Sequence, residues 1–489
     1  MPPSIALLVY VVGIAGLFFL DRDSSARTSK ALWLPVIWMW IIGSRPVSMW
    51  LGVNPLTDSG SGSLVDDLIS AFLILSAVVV LCHRNRLANL VLKLSWPVAL
   101  YFLYCLASAA WSDFPGHGLT RWVRGVGDLA MALVIATDPQ PTAALRRFFS
   151  RVGFILLPVS ILLLKYYPSL GHVYDLWGEN TNTGVTTNKN MLGVMTFALT
   201  LGAFWQVLRL LRNKDEPNRK RRLLAQGFLL YFGLALLFTA HSATSGACFT
   251  LGAGLMIATS LPLFTRRPAA VHALVLAILL GGGLVVLLGG KGAAASAVGR
   301  NADFTGRTEV WELLFPMAPN PIVGAGFENF WFGPRLENLW RIYPGVNEAH
   351  DGYLEVYLNL GLVGVGMIFL ILIQGYRRAV DAFRRNPALG SLLVAYILSS
   401  AIYSITEAGF RMLDPIWFCL ILSSFAASRA IVMAEAPSQA SPELAGPATH
   451  LANAGPNFVP IGTGRAAASV SRSNSFQNAS TTHRLQRFS

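Results

Sequence analysis

Ser4 to Leu20 is a run without a charged residue; the chain then breaks into the polar stretch RDSSARTSK and turns apolar again, and this alternation repeats to about residue 433. A helix needs roughly 20 residues to cross the hydrocarbon layer of a bilayer. Windows of that size centre near residues 12, 37, 73, 103, 129, 156, 200, 231, 254, 279, 364, 400 and 421. The pattern predicts an all-α polytopic membrane bundle of about thirteen spans. The first run has no basic residue before it and no small-x-small site after it, so it reads as a span rather than a removable leader. Two stretches depart from the alternation. Residues 291–352 form a long segment between the tenth and eleventh spans; its aromatic residues, among them Trp311, Phe327 and Trp331, predict short helices over the mouth of the bundle. Residues 434–489 are rich in Ser, Ala, Pro, Asn and Thr with little apolar periodicity, the composition of a disordered tail. The expected division is therefore a bundle over 1–433, including the loop 291–352, followed by the tail 434–489.

Composition agrees with a membrane protein. Hydrophobic residues make up 54% and charged residues 13%, and a mean hydropathy of +0.52 excludes an ordinary soluble domain. The net charge of +13 would suit nucleic acid if it formed a patch. Instead RDSSARTSK, HRNRLANLVLK, ALRRFFSR, RLLRNKDEPNRKRR, TRRP and YRRAVDAFRR hold 22 of the 38 Lys and Arg and fall in alternate loops. Such loops face the cytoplasm, which sets nucleic acid aside and places the amino terminus and the segment 291–352 on the outer side and the tail inside. The four cysteines all lie in apolar stretches with no CxxC spacing, so they are read as packing residues.

Ionisable residues at membrane depth are costly and face a wet interior, which makes each a candidate site. In LTRWVRGVGDLAMALVIATD, Arg121, Arg124 and Asp128 share one helical face. The spacing predicts either an Arg124–Asp128 pair with an interfacial Arg121, or an arginine free to meet an anion. Arg45, before the helix-breaking Pro46, either snorkels or faces a ligand. Lys189 precedes the seventh span, where its ammonium and the free amides of a helix start could both face an anion. Arg307 in TGRTEVWELLF opens an amphipathic helix of the long segment.

The same segment ends in YPGVNEAHDGYLEVYLNLGLVGVG. His350 stands in a polar loop just before a helix whose Gly361 and Gly364 are expected to admit a neighbouring helix closely. An imidazole titrates near neutrality and can serve as a general base, with Glu348, Asp351 or Glu355 to orient it; the alternative is a capping histidine. There is no HExxH and no DxD, and Asp66 and Asp67 read as a helix amino-terminal feature, so no metal is expected. No GxxxxGK[ST] loop is present, so neither ATP nor another cofactor is expected.

NEAHDGYLEVYLNLGLVGVG resembles the histidine signature of the O-antigen ligase and O-antigen polymerase family. TGRTEVW, GSRPVSMWL, AAWSDFPGHGLTRW and TGVTTNKNMLG are similar to its exopolysaccharide polymerase branch, and the resemblance covers roughly residues 30–430. It implies a multi-pass glycosyltransferase of the bacterial inner membrane that takes a polyprenyl-diphosphate-linked glycan, such as an undecaprenyl diphosphate donor, at the periplasmic face. His350 would activate the acceptor and Arg307 would hold the diphosphate, with Arg45, Arg121, Arg124 and Lys189 as further diphosphate-binding residues and Glu348, Tyr353 and Glu407 in support. The chain departs from the family where HSATSGACF places Ser245 in the position of a family arginine; Lys189, Arg45 or Arg121 would supply the charge. The implied partners are the lipid-linked donor, a glycan acceptor, membrane lipids and other polysaccharide export proteins. A diphosphate is already a good leaving group, so the reaction needs cations and a base but no general acid. Ligation to a lipid A core, a lipid-linked glycan flippase and a scaffold subunit are the competing readings.

Overall fold

The structure, a computed structural model of the chain, describes residues 1–435 apart from 24–25, 54–62, 175–179, 289–306 and 344, and for 282–288, 307–309 and 434–435 the helical backbone alone. It is all-α except for a small antiparallel ribbon pairing His172–Tyr174 with Asn180–Asn182. Among the described residues seven helices are long and apolar enough to cross a membrane: Pro3–Leu20, Leu64–His83, Pro141–Tyr166, Lys189–Arg212, Arg219–Thr239, Gly352–Arg385 and Pro415–Met433. The shorter apolar helices Lys30–Ile42, Ala243–Thr259, Ala270–Gly281 and Pro387–Tyr403, together with the charge-bearing Pro115–Ala136, account for five more of the expected centres. The last centre, near residue 103, falls in a bent pair, Asn85–Leu94 and Trp96–Ala110, at 89° to each other. The basic stretch after the third span is thus a helix of its own and not a plain loop. At the bend the Ser95 hydroxyl meets that of Ser428 at 2.7 Å inside the bundle. The expected tail lies outside the described residues.

Burial sorts the helices into a centre and a rim. Pro415–Glu435 lies at the centre, packed by Pro115–Ala136, Lys189–Arg212, Gly352–Arg385 and Pro387–Tyr403, with Trp417, Phe418 and Phe425 fully buried. Small and hydroxyl residues let these helices close on one another and bond across the gaps, as Thr259 does to Ser391 at 2.9 Å. Pro3–Leu20 and Leu64–His83 stand at the rim with Leu7, Leu8, Val11, Leu68 and Phe72 exposed, a surface suited to lipid.

The segment before Gly352 forms the short helices Arg307–Leu314 and Pro334–Ile342, as expected. Leu314, Phe330, Leu339 and Ala349 close a small separate core against Leu358. What seats the segment is a break in the following helix. Gly361 has φ +64° within Gly352–Arg385, and the amides freed there are taken by other backbone: Leu362 N donates to Pro321 O at 2.9 Å and Val363 N to Ile322 O at 3.2 Å. This revises the expectation of a helix packing on Gly361, because the glycine admits the 321–323 strand of backbone instead. A Cβ on Gly361 would lie 2.2 Å from the Ile322 carbonyl. Gly361→Ala is expected to cost at least about 1–3 kcal/mol, and a lowered unfolding midpoint in detergent checks it.

Candidate functional site

A cavity of about 290 Å³ opens at the end of the bundle opposite the basic loops. Four pieces of chain build it. Pro115–Ala136 brings Arg121 and Arg124; the start of Lys189–Arg212 brings Asn190 and Met191; residues 404–414 bring Glu407, Arg411 and Asp414; and the long segment brings Glu328 and Glu348. Asn188 caps the second of these by accepting from Met191 N at 2.8 Å.

Asp128 fixes the wall from beneath. Fully buried, it accepts from Trp38 Nε1 and from Leu413 N, each at 2.8 Å. The expected Arg124–Asp128 pair is therefore not formed. Asp128 lies one turn deeper, where neutral donors satisfy it, and Arg124 turns outward to Asp67, its Nε 2.8 Å from Oδ1. Asp67 and Asp66 do occupy the first turn of Leu64–His83, and Asp66 accepts from Ser48 N at 3.1 Å.

Across the cavity Glu328 lies 3.2 Å from Arg121 and 3.6 Å from Arg411, and Arg411 reaches Glu348 at 3.3 Å. Burial pushes the Glu328 carboxyl up, but the Arg411 and Arg121 guanidiniums outweigh it and hold Glu328 below the usual carboxylate range. Burial likewise favours a neutral Arg411, yet Glu328, Glu355 and Glu348 keep its proton more tightly than in an ordinary arginine. Asp414 goes the other way: burial pushes it to about 7. Below that value the wall loses one negative charge, and above it the charge returns. Binding of an anion at this wall is therefore expected to tighten between about pH 8 and about pH 6, and Asp414→Asn to reduce that dependence; titration of the purified protein with inorganic phosphate at several pH values checks it.

His350 is held in the left-handed backbone region, φ +51°. The backbone on both sides is pinned. Trp311 Nε1 donates to Ala349 O at 2.7 Å, Ala349 N donates to the buried Glu355, and Trp331 Nε1 donates to the other oxygen of Glu355 at 2.7 Å. Asp351, not His350, caps the following helix through Tyr353 N and Leu354 N at 2.8 and 2.9 Å. The imidazole Nδ1 stands 3.0 Å from Glu348 Oε1 and 3.4 Å from Glu407 Oε2. Its side chain is 36% exposed, whereas that of Glu407 is 4% exposed and accepts from Asn190 Nδ2 at 3.2 Å. Glu348 and Glu407 line the cavity while the histidine stands against them from the side.

The remaining candidates are dispersed. Arg45 is turned into the 170–186 stretch, with Nε to Thr186 O at 3.0 Å, NH2 to Thr183 Oγ1 at 3.1 Å and a further bond to Leu170 O. Lys189 is exposed at the first position of its helix, beside the lining residues Asn188 and Asn190. Tyr353 packs edge-on against Phe410 and donates to Ala401 O at 3.1 Å. Arg307 begins the helix Arg307–Leu314, and its side chain lies outside the described residues. Ser245 is fully buried and accepts from Ser242 at 2.9 Å. Sequence reasoning missed Arg411, Glu328 and Asn190. The available signal was TEAGFRMLDP, two acids and an arginine in the short outer loop joining the last two spans. Among the described residues no group of three or more His, Cys, Asp or Glu is arranged to hold a metal.

Comparison with known proteins agrees with the histidine segment. A family model described as O-antigen ligase matches residues 228–369, a span that holds Ser245, Arg307 and His350. The chain is 24% identical over 314 residues to the exopolysaccharide production protein ExoQ of Rhizobium meliloti (strain 1021), covering 61% of this chain and 68% of that protein. Both matches bear out the resemblance to the O-antigen ligase and polymerase family.

Proposed function

We propose that this membrane protein is a metal-independent glycosyltransferase that polymerises or transfers a polyprenyl-diphosphate-linked oligosaccharide during exopolysaccharide or O-antigen synthesis. It would work in the bacterial inner membrane with the cavity on the periplasmic face, the basic loops and the tail 434–489 in the cytoplasm, and residues 1–433 as the bundle. The observation that carries the reading is the pairing, in one cavity, of an arginine cluster with two carboxylates that face a single imidazole.

The chemistry divides along that line. The acceptor hydroxyl gives its proton to His350 as its oxygen bonds the anomeric carbon, and the bond from that carbon to the diphosphate breaks. Glu348 and Glu407 favour the proton-bearing imidazole that results. Arg411, Arg121 and Arg124, with Arg307 from the family resemblance and Lys189 at the rim, receive the charge left on the lipid diphosphate. Arg45 is bonded to the 170–186 stretch and supports the wall.

Similarity to ExoQ favours polymerisation over ligation to a lipid A core, and so does Ser245 in the place of the family arginine. Purified protein mixed with lipid-linked donor and acceptor in detergent is expected to yield longer glycan. Movement of the donor across an intact vesicle without any transfer would identify a flippase instead.

A further inference from the structure

The opposite end of the bundle carries a second charged cavity, of about 440 Å³, between the end of Pro3–Leu20 and the first turns of Pro141–Tyr166. The Lys189–Arg212 helix, 24 residues long and so about 35 Å from end to end, runs between the two ends of the bundle. At the wall of this cavity, where Asp21 and Asp23 take part in the lining, three carboxylates meet three arginines. Asp23 lies 3.4 Å from Arg222 and 3.8 Å from Arg146, and Asp21 lies 3.8 Å from Arg222. Glu216 pairs with Arg209 and, at 2.7 Å, with Arg222. That set is balanced in charge.

The wall itself carries one more positive than negative charge. Arg22, Arg147 and Arg151 line the cavity beside Asp21 and Asp23; both carboxylates are turned to Arg222, and Asp23 to Arg146 as well, and among the described residues no carboxylate lies within ion-pair distance of the three lining arginines. Two of the three are held in place by neutral groups. Arg147 donates to the Asp23 and Ala26 carbonyls, each at 2.7 Å, and to the Thr28 hydroxyl. Arg151 stacks over Trp33 at 4.4 Å from the ring centroid. Desolvating guanidiniums without a counter-charge is costly, and holding them fixed around a hollow prepares a site for an anion. The neighbourhood is one that lipid reaches: Phe19 and Trp33 are exposed beside the cavity, and Trp is enriched at the level of the headgroups.

We propose that this cavity binds the phosphate of an anionic phospholipid, whose acyl chains lie along the exposed apolar side of Pro3–Leu20. The site is separate from the glycan-transfer cavity and does not depend on that activity. The test titrates purified full-length protein in detergent with phosphatidylglycerol, phosphatidylcholine or inorganic phosphate and follows the thermal unfolding midpoint. Phosphatidylglycerol is expected to raise the midpoint saturably and phosphatidylcholine much less. Arg151→Gln is expected to weaken the phosphatidylglycerol response about tenfold, and Arg151→Lys to restore part of it. Equal responses to the two lipids, or an Arg151→Gln titration matching wild type, would overturn the site. The same shift from inorganic phosphate alone would overturn the lipid assignment. The lipid comparison in the wild-type protein stands even if Arg151→Gln folds poorly.

Discussion

His350→Ala is expected to lower glycan transfer by about two to four orders of magnitude, the range contributed by a positioned general base, with normal amounts of protein in the membrane. The separation of activity from folding follows from the local bonds. The loop is fixed by Trp311, Trp331, Glu355 and Asp351, all acting on backbone or on one another, so removing the imidazole leaves its support intact. On the proposed mechanism, what is lost is the acceptor of the hydroxyl proton. Glu407→Gln is the informative companion: it keeps the shape and the contact with Asn190 but removes a charge 3.4 Å from Nδ1, so the pH–rate profile moves to lower pH as the imidazole becomes less basic. Transfer by purified protein, measured across pH, checks both. Wild-type rates from His350→Ala would remove the histidine from the mechanism.

The second large effect is expected at Arg411. Arg411→Gln lowers transfer by about two to three orders of magnitude, as loss of a preorganised charge contact does, and Arg307→Ala is expected to do the same. Arg411 carries a further consequence, because it is shared by Glu328 and Glu348. Its removal takes one guanidinium from Glu328 and from Glu348, and Glu348 also stands 3.0 Å from the histidine, so donor affinity and base strength are expected to change together. Arg411→Lys keeps the charge but loses the planar fork, and recovers only part of the rate. Unchanged kinetics in Arg411→Gln would show that the guanidinium serves the wall and not the substrate.

The spans were legible because their signal is local: each of the thirteen apolar centres falls in a helix. Bends were not: the residues before Ser95 read as a basic loop and not as a helix, and the break at Gly361 does not alter the run of apolar residues around it. Gly361 sits in LNLGLVGVG, where glycine reads as a packing device until the approach of Ile322 is known. The site divides in the same way. Arg121, Arg124 and Asp128 stood out because charge is rare in apolar sequence, and His350 stood out beside acids before a long helix. Their partners did not, because Glu328 and Arg411 lie in polar loops where charge is ordinary, and Arg121 meets Glu328 across 207 residues of chain. The Arg124–Asp128 pair illustrates the limit of helical spacing: it gives the shared face, but Trp38 and Leu413 decide which residue is satisfied from within.

The tie between Asp128 and the Leu413 amide gives the two halves of the cavity different mechanical characters. The arginine-bearing loop is riveted to the bundle interior, while Glu328 and Glu348 ride on a segment seated by backbone bonds at a helix break. On the proposed function, the cations that meet the departing lipid would then keep their positions from one turnover to the next.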